Sequence, residues 1–310
     1  MSDKASWNLA PGEEIGPGLW ARTPLGGGQS CEAYLAWDER LHCVVICKLL
    51  RPDRVQDGSA LRELQREAAI VGALAHPAIV RGFGVVLEGK RPHAVFEHCP
   101  GLTLRQRMRR LGPLSADKVV ALAVKLCGAL HYLAGAGVVH LDVKPSNIIT
   151  GASPRLIDFS VSRRAESARR ITRPIGTANY MAPEQCAPGE RGAIGSAADI
   201  WGLGVTLYEA IAGRLPFPKG SGNAGDELAI RYPQLIGQPA AISRPVPSVL
   251  ADTVRACLAR DPAVRPTASQ VTSALHSLRA DVPSGVLRIV PAPASRPADA
   301  VASPQRPPAT

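Results

Sequence analysis

Between Leu19 and Leu50 apolar and polar residues alternate in short runs broken by turn signals, the two-residue period of half-buried strands. "CEAYLAW" (Cys31 to Trp37) and "CVVICKLL" (Cys43 to Leu50) read as two strands joined through "DERLH". The period then changes. In "SALRELQREAAIVGALA" (Ser59 to Ala75) the apolar residues Leu61, Leu64, Ala68 and Val71 fall on one helical face. "HAVFEH" is a further short strand. After Pro100 the texture is helical. "SADKVVALAVKLCGALHYLAGAG" starts at a candidate N-cap, Ser115, carries a stripe through Val119, Leu122, Leu126, Leu130 and Leu133, and stops at glycines. More helix is expected from Asp199 to Ala212 and from Val249 to Ala259. The pattern predicts an α+β chain, with a small strand-rich first part before a larger helical second part. Two segments fall outside it. Residues 1–17, with Pro11, Gly12, Gly16 and Pro17, read as a flexible leader, and residues 283–310 as a disordered Pro/Ala-rich tail.

At 310 residues the chain holds ample apolar material for a core. No apolar run approaches the roughly 20 residues needed to cross a bilayer, and the opening "MSDKASWNLAPGEE" lacks the pattern of a secretory signal. A cytoplasmic protein with no membrane span is expected. The seven cysteines are scattered with no C-x-x-C pair, which argues against a disulfide framework or a zinc site. The formal charge of +10 comes mostly from arginine, 29 of 36 basic residues. Aromatic residues make up only 4%, too few for a base-stacking platform, so nucleic acid is not an expected partner.

The chemistry concentrates in a few places. Gly26, Gly27 and Gly28 lie in "LGGGQSCEAYLA" between two strands, where a bare backbone can approach a phosphate. Lys48 is flanked by apolar residues in its strand and needs a partner, for which Glu67 in the next helix is the natural candidate. "HLDVKPSNIITGASPRLIDFS" brings Asp142 and Lys144, two apart in an extended loop, together with Asn147 and Asp158, oxygen ligands of the hard kind that Mg²⁺ prefers. Singly these have bland readings: a glycine turn, an edge-strand lysine beside a solvated glutamate, a polar loop. The apolar "NII" and the short strand "RLIDF" interleaving the last cluster do not fit a mere polar loop.

In order, these motifs resemble the eukaryotic-like serine/threonine protein kinases of bacteria, over roughly Leu19 to Leu278. The match runs from the glycine loop at Gly26 through Lys48, Glu67 in "QREA", "HLDVKPSN", "DFS", "GTANYMAPE" and "DIWGLGVTLYE" to "DPAVRPTA". The resemblance implies a bilobal protein-kinase-like fold, with an N-lobe over 18–98 and a C-lobe over 99–282. It implies that Lys48 holds ATP phosphates and pairs with Glu67, that Asp142 orients the attacking hydroxyl, and that Lys144 neutralises the moving phosphoryl. Asn147 and Asp158 would hold Mg²⁺, with Mn²⁺ as the alternate metal. Thr177 belongs to the catalytic set and, with Lys144, favours a Ser/Thr acceptor. Gly26, Gly27, Gly28, Ala33, Ile46, Glu97, Cys99 and Ile149 would contact the nucleotide, with Phe96 as gatekeeper. Asp199 would brace the catalytic loop, and Arg265 would pair with Glu184. The implied partners are ATP, protein substrates and a transient second copy during autophosphorylation. A pseudokinase scaffold and a small-molecule phosphotransferase are the competing readings.

Several positions depart from the family. Cys31 replaces a loop glycine, and Ala33 and Ile46 exchange small and large residues over the base, with Ile149 as the expected floor. Leu141 replaces the arginine before Asp142, which bears on regulation. Ser160 replaces a turn glycine, where positive φ would be strained. The segment "SVSRRAESARRITRPIG" sets five arginines around Ser162, Ser167 and Thr172, so a phosphate there could be held locally.

Overall fold

The computed structural model describes residues 5–278 apart from 152 and 224, so the tail expected at 283–310 lies outside the described residues. Six strands form one antiparallel sheet: β1 (Glu14–Gly16), β2 (Leu19–Gly27), β3 (Cys31–Asp38), β4 (Cys43–Leu50), β5 (Gly82–Val86) and β6 (His93–Glu97), in spatial order β1-β2-β3-β4-β6-β5. Alternation decides its two faces. On β3, Glu32, Tyr34, Ala36 and Asp38 are buried, while Cys31, Ala33, Leu35 and Trp37 are half-buried on the opposite side. Helix α1 (Gly58–Gly72) follows β4. Its cap is Asp57, whose carboxylate accepts from Ser59 N and Ala60 N, two donors that the first turn leaves unpaired.

The leader is not loose, and this corrects the expectation for residues 5–17. Leu9 and Ile15 are buried in a small core with Leu19, Tyr34, Val45, Cys47 and Leu49, and residues 14–16 pair as β1. A one-layer sheet has two faces to cover, and the leader covers the face that α1 does not. Proline and glycine content gave no sign of that, because it arises from the exposed side of the sheet and not from the leader itself.

The second lobe begins with β7 (Leu102–Thr103), α2 (Leu104–Leu111) and α3 (Ala116–Gly135). Ser115 stands at the N-cap of α3 without a capping bond, its hydroxyl bonding instead to Asp117. By length and composition α3 is apolar enough to cross a bilayer, which the sequence reading overlooked. Its apolar stripe is packed in the lobe core, where Leu126 and Leu133 share one buried cluster with Trp201 and Leu203. Next come β8 (Val138–Val139), β9 (Ile148–Thr150), β10 (Arg155–Leu156), β11 (Arg163–Arg164), α4 (Ala165–Ala168) and α5 (Pro183–Cys186). Then α6 (Ser196–Ala212), α7 (Leu228–Arg231), α8 (Ser248–Cys257) and α9 (Ala268–Leu275) complete the lobe, with α6 and α9 against α3. The short ladders matter most for function. β9 pairs with β10 and β8 with β11, which holds the loop 140–147 beside the turn 157–162. Three bonds between them, Ile157 N to Asn147 O at 2.9 Å, His140 Nε2 with Ile157 O at 3.2 Å and Ser162 Oγ to His140 O at 3.0 Å, fix the juxtaposition.

Candidate active site

Lys48 sits in β4 opposite Ala33 and Ala94, so its side chain leaves the sheet on the half-buried face. There its ammonium donates to Glu67 Oε1 at 2.5 Å and to Asp158 Oδ1 at 2.7 Å. Burial alone would favour the neutral amine, but the two carboxylates reverse this and hold the Lys48 pKa above its ordinary value. Burial would likewise raise Asp158, yet Lys48 and a hydrogen bond from Ser160 keep its carboxyl well below the usual range. Glu67 also accepts from Phe159 N at 3.1 Å, so one carboxylate ties α1 to both the sheet lysine and the 157–162 turn.

A second group lies across the cleft. Lys144 Nζ donates to Asp142 Oδ2 and to Thr177 Oγ1, both at 2.6 Å. Asn147 Nδ2 donates to Asp142 O at 3.0 Å and Oδ2 at 3.1 Å. Asp142 Oδ1 is buried and has no hydrogen-bond partner among the described residues. The loop is braced from below by Asp199, which accepts from His140 N at 2.8 Å and Leu141 N at 2.7 Å. Burial pushes the Asp199 carboxyl up to about 7 against the pull of those two donors. Farther out, the fully buried Arg265 clasps Glu184 through both nitrogens, at 2.6 and 2.8 Å.

Lys48, Glu67, Asn147 and Asp158 all line two adjoining cavities of about 650 and 410 Å³. The larger is roofed by Gly27 and Gly28 and also reaches Lys144. The smaller is lined by Ala33, Ile46, Phe96, Glu97, Cys99 and Ile149, so the positions expected around a base converge. Gly26 does not join them. It adopts φ +100° and faces a separate hollow on the leader side of the hairpin, with Ser6, Asn8 and Glu32.

At Ser160 and Ser162 the structure differs from expectation. Among the described residues the non-glycine positive φ values fall at Asn8, His42, Leu141 (68°) and Asp158 (64°), so the strain lies on Asp158 and Leu141 and not on Ser160. Ser160 instead bonds to the Asp158 carboxylate through its side chain and accepts from Arg66 Nη2 at 3.4 Å through its carbonyl. Leu141 is buried, and its carbonyl accepts from Gln185 Nε2 at 2.8 Å, a partner that sequence reading missed. Ser162 is fully buried and donates to His140 O at 3.0 Å, which removes it from the accessible hydroxyls; Ser167 and Thr172 are exposed. Burial pushes the Cys31 thiol up to about 12, so it is not a reactive thiolate.

The site is thus a lysine ammonium between two carboxylates under a glycine hairpin, in a chain of one strand-rich and one helical lobe. Residues 21–276 match the protein kinase domain family, and the chain belongs to it. It is 37% identical over 203 residues to the serine/threonine-protein kinase PknB of Mycobacterium tuberculosis (strain H37Rv), covering 62% of this chain and 32% of that protein. It is 35% identical over 231 residues to PknB of Mycolicibacterium smegmatis, covering 71% and 36% of the two chains. To PkaA of Streptomyces coelicolor it is 32% identical over 239 residues, covering 75% and 42%. The chain thus spans about a third of the length of the first of these relatives. The family as a class uses ATP and a divalent metal. The donors present suit such a pair: Asn147 and Asp158 offer hard oxygens on both cavities. Among the described residues no three His, Cys, Asp or Glu side chains gather, so Asn147 and Asp158 would be the protein's ligands to such a metal.

Proposed function

We propose that this chain transfers the γ-phosphoryl group of ATP to serine or threonine hydroxyls of protein substrates, itself included. The observation that carries the reading is the Asp142 carboxylate, with Oδ2 fixed by Lys144 and Asn147 and Oδ1 without a partner among the described residues. On this reading the Asp142 carboxylate orients the attacking hydroxyl and accepts its proton. Lys144 presents positive charge beside the same carboxylate, where charge moves during transfer, and Thr177 fixes the lysine's direction. Lys48, kept protonated by Glu67 and Asp158, faces the cavity under the glycine hairpin and suits the α- and β-phosphates. Asn147 and Asp158 would hold Mg²⁺, which when bound offsets the charge of the triphosphate. Ala33, Ile46 and Ile149 would enclose the base, and the backbone of Glu97 and Cys99 would meet its edge. Ser167 and Thr172 are the exposed hydroxyls of the 161–176 segment suited to self-modification.

The test uses purified chain, Mg²⁺, labelled ATP and a generic basic protein. Asp142→Asn should lower the transfer rate about 10²–10⁴-fold while leaving nucleotide binding in place. Equal labelling by wild type and D142N would assign the activity to a contaminant, and no labelling by either would leave a nucleotide-binding scaffold.

A further inference from the structure

The leader grips the hairpin that roofs the cavity under Gly27 and Gly28. Ser6 Oγ donates to Glu32 Oε2 at 2.7 Å, and Trp7 N donates to Glu32 Oε1 at 2.8 Å. Both oxygens of this buried carboxylate are therefore taken by the leader. Glu32 lies in β3 directly opposite Gly27, at the root of the hairpin. Arg51, also buried, lies with Nη1 4.0 Å from Glu32 Oε2 and links the same parts. Its Nη1 donates to Ala5 O at 2.8 Å and its Nε to Gly28 O at 3.1 Å, while its backbone N–H donates to Ser30 O at 2.9 Å. The Trp7 indole N–H donates to Leu50 O at 2.7 Å, and the Arg91 guanidinium lies 5.2 Å from its ring. Packing alone does not require this. A leader that only covered apolar surface would need Leu9 and Ile15, with no buried carboxylate and guanidinium facing Ser6 and Ala5.

We infer that residues 5–9 are a strap that positions the glycine hairpin through Glu32 and Arg51, and so tunes the affinity for the nucleotide phosphates. The strap's route to the site is short. Glu32 faces Gly27 across the ladder and Arg51 holds the carbonyl of Gly28, and these two glycines roof the cavity that reaches Lys48 and Lys144. Ser6, Trp7, Glu32 and Arg51 are thus positioning residues, with no contact to substrate of their own. The inference rests on the kinase reading for its kinetic consequence, though not for the mechanical one.

Ser6→Asp sets a second carboxylate against Glu32 and should release the strap, and Glu32→Gln removes the charge that Ser6 and Trp7 bind. In each full-length variant, backbone amides 26–30 should exchange with deuterium about ten-fold faster than in wild type, while amides of α9 do not change. The KM for ATP should rise about five-fold or more, with kcat within about two-fold. Ser6→Thr, which keeps the hydroxyl, should behave as wild type. If S6D and E32Q lower the melting temperature but leave hairpin exchange and KM for ATP at wild-type values, the strap is mere packing and the inference is overturned. If the wild-type chain transfers no phosphoryl group, the kinase reading fails, and hairpin exchange alone then decides the strap.

Discussion

Glu184 and Arg265 have no exposed side-chain surface, so the cost of disturbing them can be worked from their bonds. Glu184→Gln preserves shape but removes the negative charge, leaving a guanidinium buried without its counter-ion. Breaking a buried pair from one side costs about 3–5 kcal/mol, and the retained amide oxygen puts this variant near the lower end. A domain of this size loses about 2–4 °C of melting temperature per kcal/mol, so a fall of about 6–12 °C is expected. Arg265→Met should be worse. Arg265 also donates to the carbonyls of Ala259, Ala197 and Arg260 at 2.7, 2.9 and 3.0 Å. Methionine leaves those acceptors and the Glu184 carboxylate unpaired, each orphaned group adding about 1–3 kcal/mol. The double variant E184M/R265M removes both charges but still orphans the carbonyls, so it should recover only part of the loss. Urea unfolding monitored by tryptophan fluorescence gives the three values, provided the slope with denaturant stays constant. An E184Q loss below about 1 kcal/mol, or a double variant equal to wild type, refutes the reasoning.

Other outcomes follow from the site. Ala33→Val adds two methyl groups beside Ile46 in the smaller cavity and should cost about 1 kcal/mol or more of ATP binding, a five-fold or larger rise in Kd; unchanged affinity by calorimetry removes the idea of a rebalanced roof. Ser160→Gly deletes the bond to the Asp158 carboxylate and should raise the Mg²⁺ needed for half-maximal transfer about five-fold, whereas an unaltered metal requirement removes Ser160 from the site. The depressed pKa of Asp158 implies stabilisation present above the ordinary carboxylate range and lost as pH falls through the folded value. The stability gap between wild type and D158N should therefore narrow from about pH 5 to pH 2, and a gap constant over that range contradicts the assignment.

What could be read from sequence follows the physics of each feature. Lys48 among apolar strand residues demands a partner, and Glu67 at the buried face of the next helix supplies one. The second partner, Asp158, stands 110 residues away, and no local pattern announces its approach. Asp142, Lys144 and Asn147 were legible because a short loop fixes their spacing. Gln185 was not, because its role is to reach back to the carbonyls of Leu141 and Ile175 across a fold that the sequence does not display. Ser162 shows the same limit from the other side: a serine among arginines looks modifiable until the β8–β11 ladder and the His140 carbonyl bury it. The leader was misread because its composition is that of a loop, while its order depends on an uncovered sheet face.

Leu141 brings these threads to one point. A bulky residue at φ 68° costs about 1–2 kcal/mol over an ordinary conformation, so the surroundings must hold it there. They do so through its backbone alone: Asp199 takes the N–H, Gln185 takes the carbonyl, and Gly176 passes so close to that carbonyl that an added Cβ would lie 2.7 Å from it. The side chain contributes only apolar packing. A charged residue at this position could link the loop to a phosphate elsewhere on the chain, but a buried leucine transmits no such signal. The placement of Asp142 is therefore fixed by Asp199 of α6, Gln185 of α5 and the close pass of Gly176, all of which act on the backbone of Leu141 and none on its side chain.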